Sequence, residues 1–72
     1  MTQYGELAIE IENVLREAGR IRRAAPFDKA EAVRFRVKIL DYIKRARSIG
    51  YAAAEQALTQ ESAWLGDMIS RY

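Results

Sequence analysis

The sequence predicts an all-α fold, an antiparallel three-helix up-down-up bundle. Apolar residues recur at alternating spacings of three and four along almost the whole chain, as they do on the buried face of an amphipathic helix. Pro26, the only proline, and Gly50 interrupt this pattern and indicate two turns. Connections this short favour antiparallel neighbours. Residues 1–72 are therefore expected to form a single helical domain with helices at about 3–24, 29–48 and 51–71.

The first helix is predicted from one apolar face that stops at the proline. Ile9 falls on the opposite side of the helix and is expected to be exposed. Pro26 disfavours helical backbone at the residue before it and has no amide hydrogen, so the helix should end at about residue 24. The apolar face comprises Leu7, Ile11, Val14, Ala18, Ile21 and Ala25, widened by Tyr4, Ala8 and Leu15.

The second helix is expected to begin after Asp28, whose carboxylate can cap the free amides of the first turn. Wound as an α-helix, this segment carries two separate apolar stripes. Two stripes require two sets of neighbours, so the helix is expected to lie in the middle of the bundle, unless one stripe faces another subunit. The first stripe comprises Ala32, Phe35, Ile39, Tyr42, Ile43, Ala46 and Ile49, and the second comprises Val33, Val37 and Leu40.

The third helix is predicted to follow a turn at Gly50, which suits the left-handed backbone that closes a helix. Glu61 lies in the middle of its apolar side. Either the helix is interrupted there, with Thr59 capping a fresh start, or the carboxylate lies at a contact and needs a cationic partner; we favour the interruption. In the alternative fold, residues 29–72 form the long second helix of a helical hairpin that dimerises. The apolar side comprises Ala54, Ala57, Leu58, Trp64, Leu65, Met68, Ile69 and Tyr72.

Four aromatic residues fall on these apolar faces at a spacing typical of core residues. Phe35 and Tyr42 belong to the second helix, and Trp64 and Tyr72 belong to the third. We expect all four in the core. In the alternative interpretation Trp64, Met68 and Tyr72 anchor another protein, because amphipathic rings are favoured at interfaces.

Charge is distributed unevenly along the chain, although the net charge is only +2. Residues 1–18 contain four acidic residues and one basic, and residues 48–72 contain three acidic residues and one basic. Residues 19–47 contain ten basic residues and three acidic. A basic centre between two acidic ends can attract an anionic partner, or it can pair with the chain's own acidic helices.

The composition argues against several functional classes. The chain has no histidine and no cysteine, so it lacks the usual ligands of structural zinc, and no spacing places an activating neighbour beside a potential nucleophile. We expect no enzymatic activity, no metal and no cofactor. The first residues do not resemble a secretion signal, and no apolar run approaches the roughly 18 residues that span a bilayer. We therefore expect a cytoplasmic protein that does not associate with membranes.

The remaining features favour binding of another macromolecule. We expect a non-enzymatic protein that binds another, acidic protein as an adaptor, an inhibitor or a small regulatory subunit, and that forms a homodimer. In the expected contact patch an aliphatic stripe supplies affinity and a cationic rim steers the partner. The stripe comprises Val33, Val37 and Leu40, and the rim comprises Arg36, Lys44 and Arg47.

The alternative is a nucleic-acid-binding protein that uses the basic centre 20–47. Its phosphate contacts would come from two rows of cations on the exposed sides of the first and second helices. No aromatic residues alternate with the second row to stack on bases. The first row comprises Arg16, Arg20 and Arg23, and the second comprises Arg34, Lys38 and Arg45.

Overall fold

The computed structural model describes residues 3–72, with side chains from residue 5 onward, and confirms the three-helix bundle. The helices are α1 (Gln3–Arg23), α2 (Lys29–Ser48) and α3 (Ala52–Arg71). They form a body of 39 × 17 × 16 Å in which α2 and α3 share the most extensive contact. The alternative hairpin is wrong, because the chain turns between the end of α2 and the start of α3.

α1 buries most of its predicted face and leaves Ile9 exposed, as expected. Ala25 is exposed instead of joining this face, because α1 ends at Arg23 and the chain then bends at Pro26. The predicted contribution of Tyr4 to the face lies outside the described side chains. The buried residues are Leu7, Ile11, Val14, Ala18 and Ile21, while Ala8 and Leu15 are half-buried.

α2 begins at the predicted cap. Asp28 has extended backbone, and its Oδ1 accepts a hydrogen bond from the Glu31 amide at 3.1 Å. The Glu31 carboxylate in turn accepts a bond from Arg20 of α1, with 3.1 Å between Nη2 and Oε2. The start of α2 is thus tied to the end of α1.

The turn after α2 has the backbone that glycine permits. Gly50 adopts a left-handed φ of 74°. Its amide donates to the carbonyl oxygen of Arg47 at 3.2 Å, and the Tyr51 amide donates to the carbonyl oxygen of Ala46 at 2.8 Å. These are the two bonds of a Schellman motif, which confirms the predicted turn and directs the chain into α3.

α3 is continuous, so the favoured interpretation of Glu61 is wrong. Thr59 does not start a new helix; its hydroxyl donates to the Glu55 carbonyl oxygen within α3 at 2.7 Å. Glu61 is only 8% exposed, and its Oε1 lies 3.3 Å from Nη2 of Arg22 on α1. The helix continues because a neighbouring helix supplies the cation that a carboxylate at a contact requires.

The core is narrower than the predicted apolar faces. Tyr42 is buried and Phe35 is half-buried, but Trp64 is 44% exposed and Tyr72 is 68% exposed. The expectation that all four aromatic residues are core is therefore wrong for Trp64, on α3, and for Tyr72, which follows α3. Five residues of the first α2 stripe are buried, namely Ala32, Ile39, Tyr42, Ile43 and Ala46, whereas Ile49 is exposed.

Candidate functional site

The second apolar stripe of α2 stays on the surface. Val33 is 44% exposed, Val37 is 65% exposed and Leu40 is 45% exposed. We call these three residues the α2 stripe. Their spacings of four and three place them on one line along the helix, and the same spacing forms the contact line of a coiled coil. These three side chains stay exposed, although α2 buries Ala32, Ile39 and Ala46 of its first apolar stripe completely.

Of the three predicted rim cations, two are held by α3. Arg36 donates from Nε to the carbonyl oxygen of Ser62 at 3.0 Å and lies 3.3 Å from its Oγ. Arg47 donates from Nε to Oε2 of Glu55 at 2.9 Å. Lys44 makes no ion pair with any described residue and is exposed. The rim therefore has two arginines bonded to α3 and one exposed lysine that forms no ion pair with the described residues.

A glycine on α3 makes room for Arg36. A Cβ atom placed on Gly66 would lie 2.9 Å from Nη2 of Arg36 and 3.0 Å from its Cζ, so the guanidinium occupies the space of the missing side chain. Ser62 is buried beneath it. Sequence reasoning missed both residues, although a glycine inside a helical pattern is itself a sign of a close approach.

The two cationic rows predicted for nucleic acid are partly neutralised by the chain's own acids. On α1, Arg20 pairs with Glu17 and with Glu31 of α2, and the hydrogen bond to Glu17, followed by that to Glu31, raises the pKa of the arginine. On α2, Arg45 lies 3.0 Å from Asp41 and 4.0 Å from Glu10 of α1.

The other members of these rows differ in their surroundings. Arg16 lies 3.7 Å from Glu12 on α1, in an exposed pair. Nζ of Lys38 lies 5.7 Å from the centre of the Phe35 ring. Arg23 and Arg34 are exposed. The two rows are thus separated and interrupted by carboxylates, and nucleic-acid binding through them stays a prediction.

The groove between α1 and α2 is polar. It has a volume of about 310 Å³, and at its edge the Tyr42 hydroxyl donates to Oε1 of Glu10 at 2.8 Å. This hydrogen bond, with burial as the second cause, raises the pKa of Tyr42 above its ordinary value. The groove is lined by Glu10, Asn13, Val14, Glu17, Phe35, Lys38 and Tyr42.

A second exposed feature lies between α1 and α3. The guanidinium of Arg22 lies over the Trp64 ring, 4.6 Å from its centre, and is paired with the buried Glu61 carboxylate. Nε of Arg22 and Oε2 of Glu61 are buried and form no hydrogen bond. Sequence reasoning named Trp64 and Glu61 but not Arg22, because residues 39 and 42 positions apart give no local signal of contact.

A shallow groove of about 320 Å³ lies between α1 and α3. Four of its eight lining residues are alanines, and their small side chains create the space. We call it the alanine groove. It is lined by Ala8, Ile11, Glu12, Leu15, Tyr51, Ala53, Ala54 and Ala57.

The described residues provide no further sign of a known kind of site. Residues 3–72 contain no cluster of three or more acidic, histidine or cysteine side chains placed to hold a metal ion. None of the three helices is long and apolar enough to cross a lipid bilayer. No family model, no curated protein and no solved structure matches the chain.

Proposed function

We propose that this protein binds another protein through the α2 stripe, as an adaptor, an inhibitor or a small regulatory subunit. The observation that carries the proposal is the exposure of Val33, Val37 and Leu40 in one line on a helix whose other apolar stripe is mostly buried. Single exposed aliphatic residues are ordinary, but a contiguous row is typical of a contact surface. The core is complete without these three side chains, so the fold does not require them.

The spacing and the charges of the stripe favour a helical, acidic partner. A line of apolar residues at spacings of four and three accepts the side chains of an approaching helix between its own. Arg36, Lys44 and Arg47 border the line. Arg47 is already paired with Glu55, so carboxylates beside the partner's apolar residues would meet the charges of Arg36 and Lys44. Such a rim contributes mainly to the rate of association and to the choice of partner, while the aliphatic groups contribute to affinity.

The size of the stripe sets the strength of binding. A standard interface buries about 800 Å² on each partner, and three partly exposed aliphatic residues with their rim supply only part of that area. We therefore expect dissociation constants on the order of micromolar for a single docked helix.

Val37→Glu tests the proposal, with Ile9→Glu as the matched control. Both substitutions place a carboxylate at an exposed aliphatic position, but Ile9 stands alone on α1. The wild-type protein captures its partner from the native cell, and titration calorimetry with the purified partner then measures affinity. Val37→Glu is expected to weaken binding by about ten-fold or more with unchanged helicity, as loss of a central interface residue does, and Ile9→Glu is expected to leave it unchanged.

The opposite pattern would contradict the proposal. If the partner binds Val37→Glu as tightly as it binds the wild type, the α2 stripe is not the contact surface. If Val37→Glu loses helicity, measured by circular dichroism, the stripe contributes to the fold and its exposure does not indicate a partner.

A further inference from the structure

The α2 stripe has the residue pattern of a two-stranded coiled coil. Val37 occupies position a of a heptad, and Val33 and Leu40 occupy the d positions on either side of it. Ala30, which is also exposed, occupies the preceding a position and extends the line towards the start of α2. In parallel coiled coils a β-branched residue at a with leucine at d favours two strands. The stripe is therefore suited to a single partner helix.

Cations border the N-terminal half of this line on both sides. Lys29 and Arg36 occupy g positions of the same heptads, and Arg34 occupies an e position. Residues at e and g lie at the edges of a coiled-coil contact, where they pair with charges of the other helix and determine the choice of partner. Sequence reasoning placed Arg34 in a row of phosphate contacts and did not single out Lys29.

The charges of these three residues are not neutralised within the bundle. Lys29 and Arg34 are exposed and form no ion pair with any residue whose side chain is described. Arg36 is bonded to Ser62 through Nε, but the carbonyl oxygen and the hydroxyl that accept are both neutral. The N-terminal half of the stripe thus presents three positive charges that no carboxylate of the described residues balances.

The carboxylates of α2 are already in use. Glu31 accepts a hydrogen bond from Arg20 of α1, and Asp41, at the next e position, lies 3.0 Å from Nη2 of Arg45. Lys44 occupies an a position, on the contact line itself, and forms no ion pair with the described residues. A partner helix that covers this lysine has to supply an anion, because a buried charge without a counter-charge is costly.

We infer that the partner of the α2 stripe is one amphipathic helix with apolar residues at its own a and d positions and carboxylates at e and g, and that Lys29 and Arg34 select it. The inference rests on the proposed function, because it takes the α2 stripe as the docking surface. Exposed ion pairs add little affinity, so these cations act mainly on which helix binds. A helix with cations at e and g places like charges against them and is rejected.

Two synthetic helices of three heptads serve as probes. Both have leucine at a and d, and one has glutamate at e and g where the other has lysine. Like charges at e and g oppose pairing of each peptide with itself. Fluorescence anisotropy measures binding of each labelled peptide to the intact protein. We expect the glutamate peptide to bind about ten-fold more tightly or better at about 0.15 M salt, and this ratio to fall at about 1 M salt, because salt screens exposed charges.

A double variant and a matched control locate the selecting charges. Lys29→Gln with Arg34→Gln removes the two edge cations, and Arg23→Gln with Lys38→Gln is the control. Each pair neutralises two exposed cations that form no ion pair with the described side chains, but Lys38 lies at position b and Arg23 lies on α1. The edge variant should bind the glutamate peptide about three-fold more weakly or worse, and the control should bind it as the wild type does. Circular dichroism verifies that both remain helical.

Val37→Glu distinguishes failure of the inference from failure of the proposed function. If it weakens both peptides, but the wild type binds the two equally, the stripe docks helices without selecting charge; the proposed function then stands and the inference is wrong. If the glutamate peptide binds wild type and Val37→Glu equally, the stripe is not the contact surface and both are wrong.

Three further results would overturn the inference alone. The first is that the wild type binds neither peptide. The second is an equal loss of affinity in the edge variant and in the control, which would indicate attraction by net charge. The third is a DNA duplex that displaces the glutamate peptide and binds Val37→Glu as tightly as it binds the wild type, but binds the edge variant more weakly; this would assign Lys29 and Arg34 to phosphate contacts.

Discussion

Three arginines reach α3 from the neighbouring helices, and two of them, Arg22 and Arg36, lie beside the two exposed apolar regions and are held in different ways. Arg22 of α1 lies under Trp64 and pairs with a buried carboxylate, Glu61. Arg36 of α2 lies beside the α2 stripe and bonds to the carbonyl oxygen and hydroxyl of Ser62. One contact joins two charges, and the other joins a charge to neutral acceptors.

The difference determines how each contact responds to the loss of one partner. Glu61 accepts the hydrogen bond from Nη2 of Arg22, and Nε of Arg22 and Oε2 of Glu61 are buried without hydrogen bonds. Arg36 has a backbone acceptor that no side-chain substitution removes. The contact between α1 and α3 is therefore sensitive to a single change, while the contact between α2 and α3 is tolerant.

Glu61→Ala is expected to have the largest effect. It leaves the guanidinium of Arg22 largely buried and without its anion. Breaking a fully buried pair costs about 3–5 kcal/mol, and Arg22 keeps some access to water, so we expect a loss of about 2–3 kcal/mol of unfolding free energy. Since a domain of this size has about 4–10 kcal/mol in total, the variant should unfold at clearly lower urea concentration.

Ser62→Ala, one residue further along α3, is the matched control for Glu61→Ala. It removes the hydroxyl but keeps the carbonyl oxygen that accepts from Arg36, so the expected loss is below about 1 kcal/mol. Equal losses of unfolding free energy in the two variants would show that the Arg22 contact is no more sensitive to the loss of one partner than the Arg36 contact.

Gly66→Ala tests whether the Arg36 guanidinium packs against Gly66. In the wild type the new methyl group displaces the guanidinium, which offsets the gain of about 1 kcal/mol in helix propensity. In an Arg36→Ala background nothing is displaced, and the same substitution should stabilise by about 1 kcal/mol. Urea unfolding of the four proteins measures the coupling. Equal stabilisation in both backgrounds would mean that Arg36 does not rest against Gly66 in solution.

The boundaries of the helices could be predicted because their signals are local. Asp28 caps its own first turn, and Gly50 closes α2 through its own backbone. Each signal depends on residues within a few positions, so α2 begins and ends where the sequence predicts. The α2 stripe is exposed for a related reason: one helix cannot bury two stripes with only two neighbouring helices that share its other face.

The details of the α1–α3 contact could not be predicted in the same way. Whether Glu61 interrupts a helix or pairs with a cation depends on which residue of α1 faces it, and that is decided by the packing of the whole bundle. Trp64 has the spacing of a core residue, but its position at the edge of α3 depends on how closely α1 approaches. The distance between α1 and α3 at these two residues cannot be read from the sequence.

Another contact between helices joins the Tyr42 hydroxyl of α2 to the Glu10 carboxylate of α1. It joins a neutral donor to a half-exposed carboxylate, and Tyr42→Phe is expected to cost about 0.5–1 kcal/mol at neutral pH. Tyr72→Phe, at an exposed phenol, is the control and should cost nothing measurable.

The contribution of Tyr42 should disappear at high pH. Because the hydrogen bond to Glu10 and burial raise the pKa of Tyr42 in the folded protein, the folded state holds the phenolic proton more tightly than the unfolded state does. The stabilisation is therefore complete below the unfolded pKa of about 10 and is lost as the pH rises through the higher folded pKa. The unfolding free energies of wild type and Tyr42→Phe are measured at intervals from about pH 8 upward. They should converge above the pKa of Tyr42 in the folded protein. A difference that stays constant over the range would show that the ring, and not the proton on its hydroxyl, makes the contact, and Tyr42 would then resemble the apolar core residues around it.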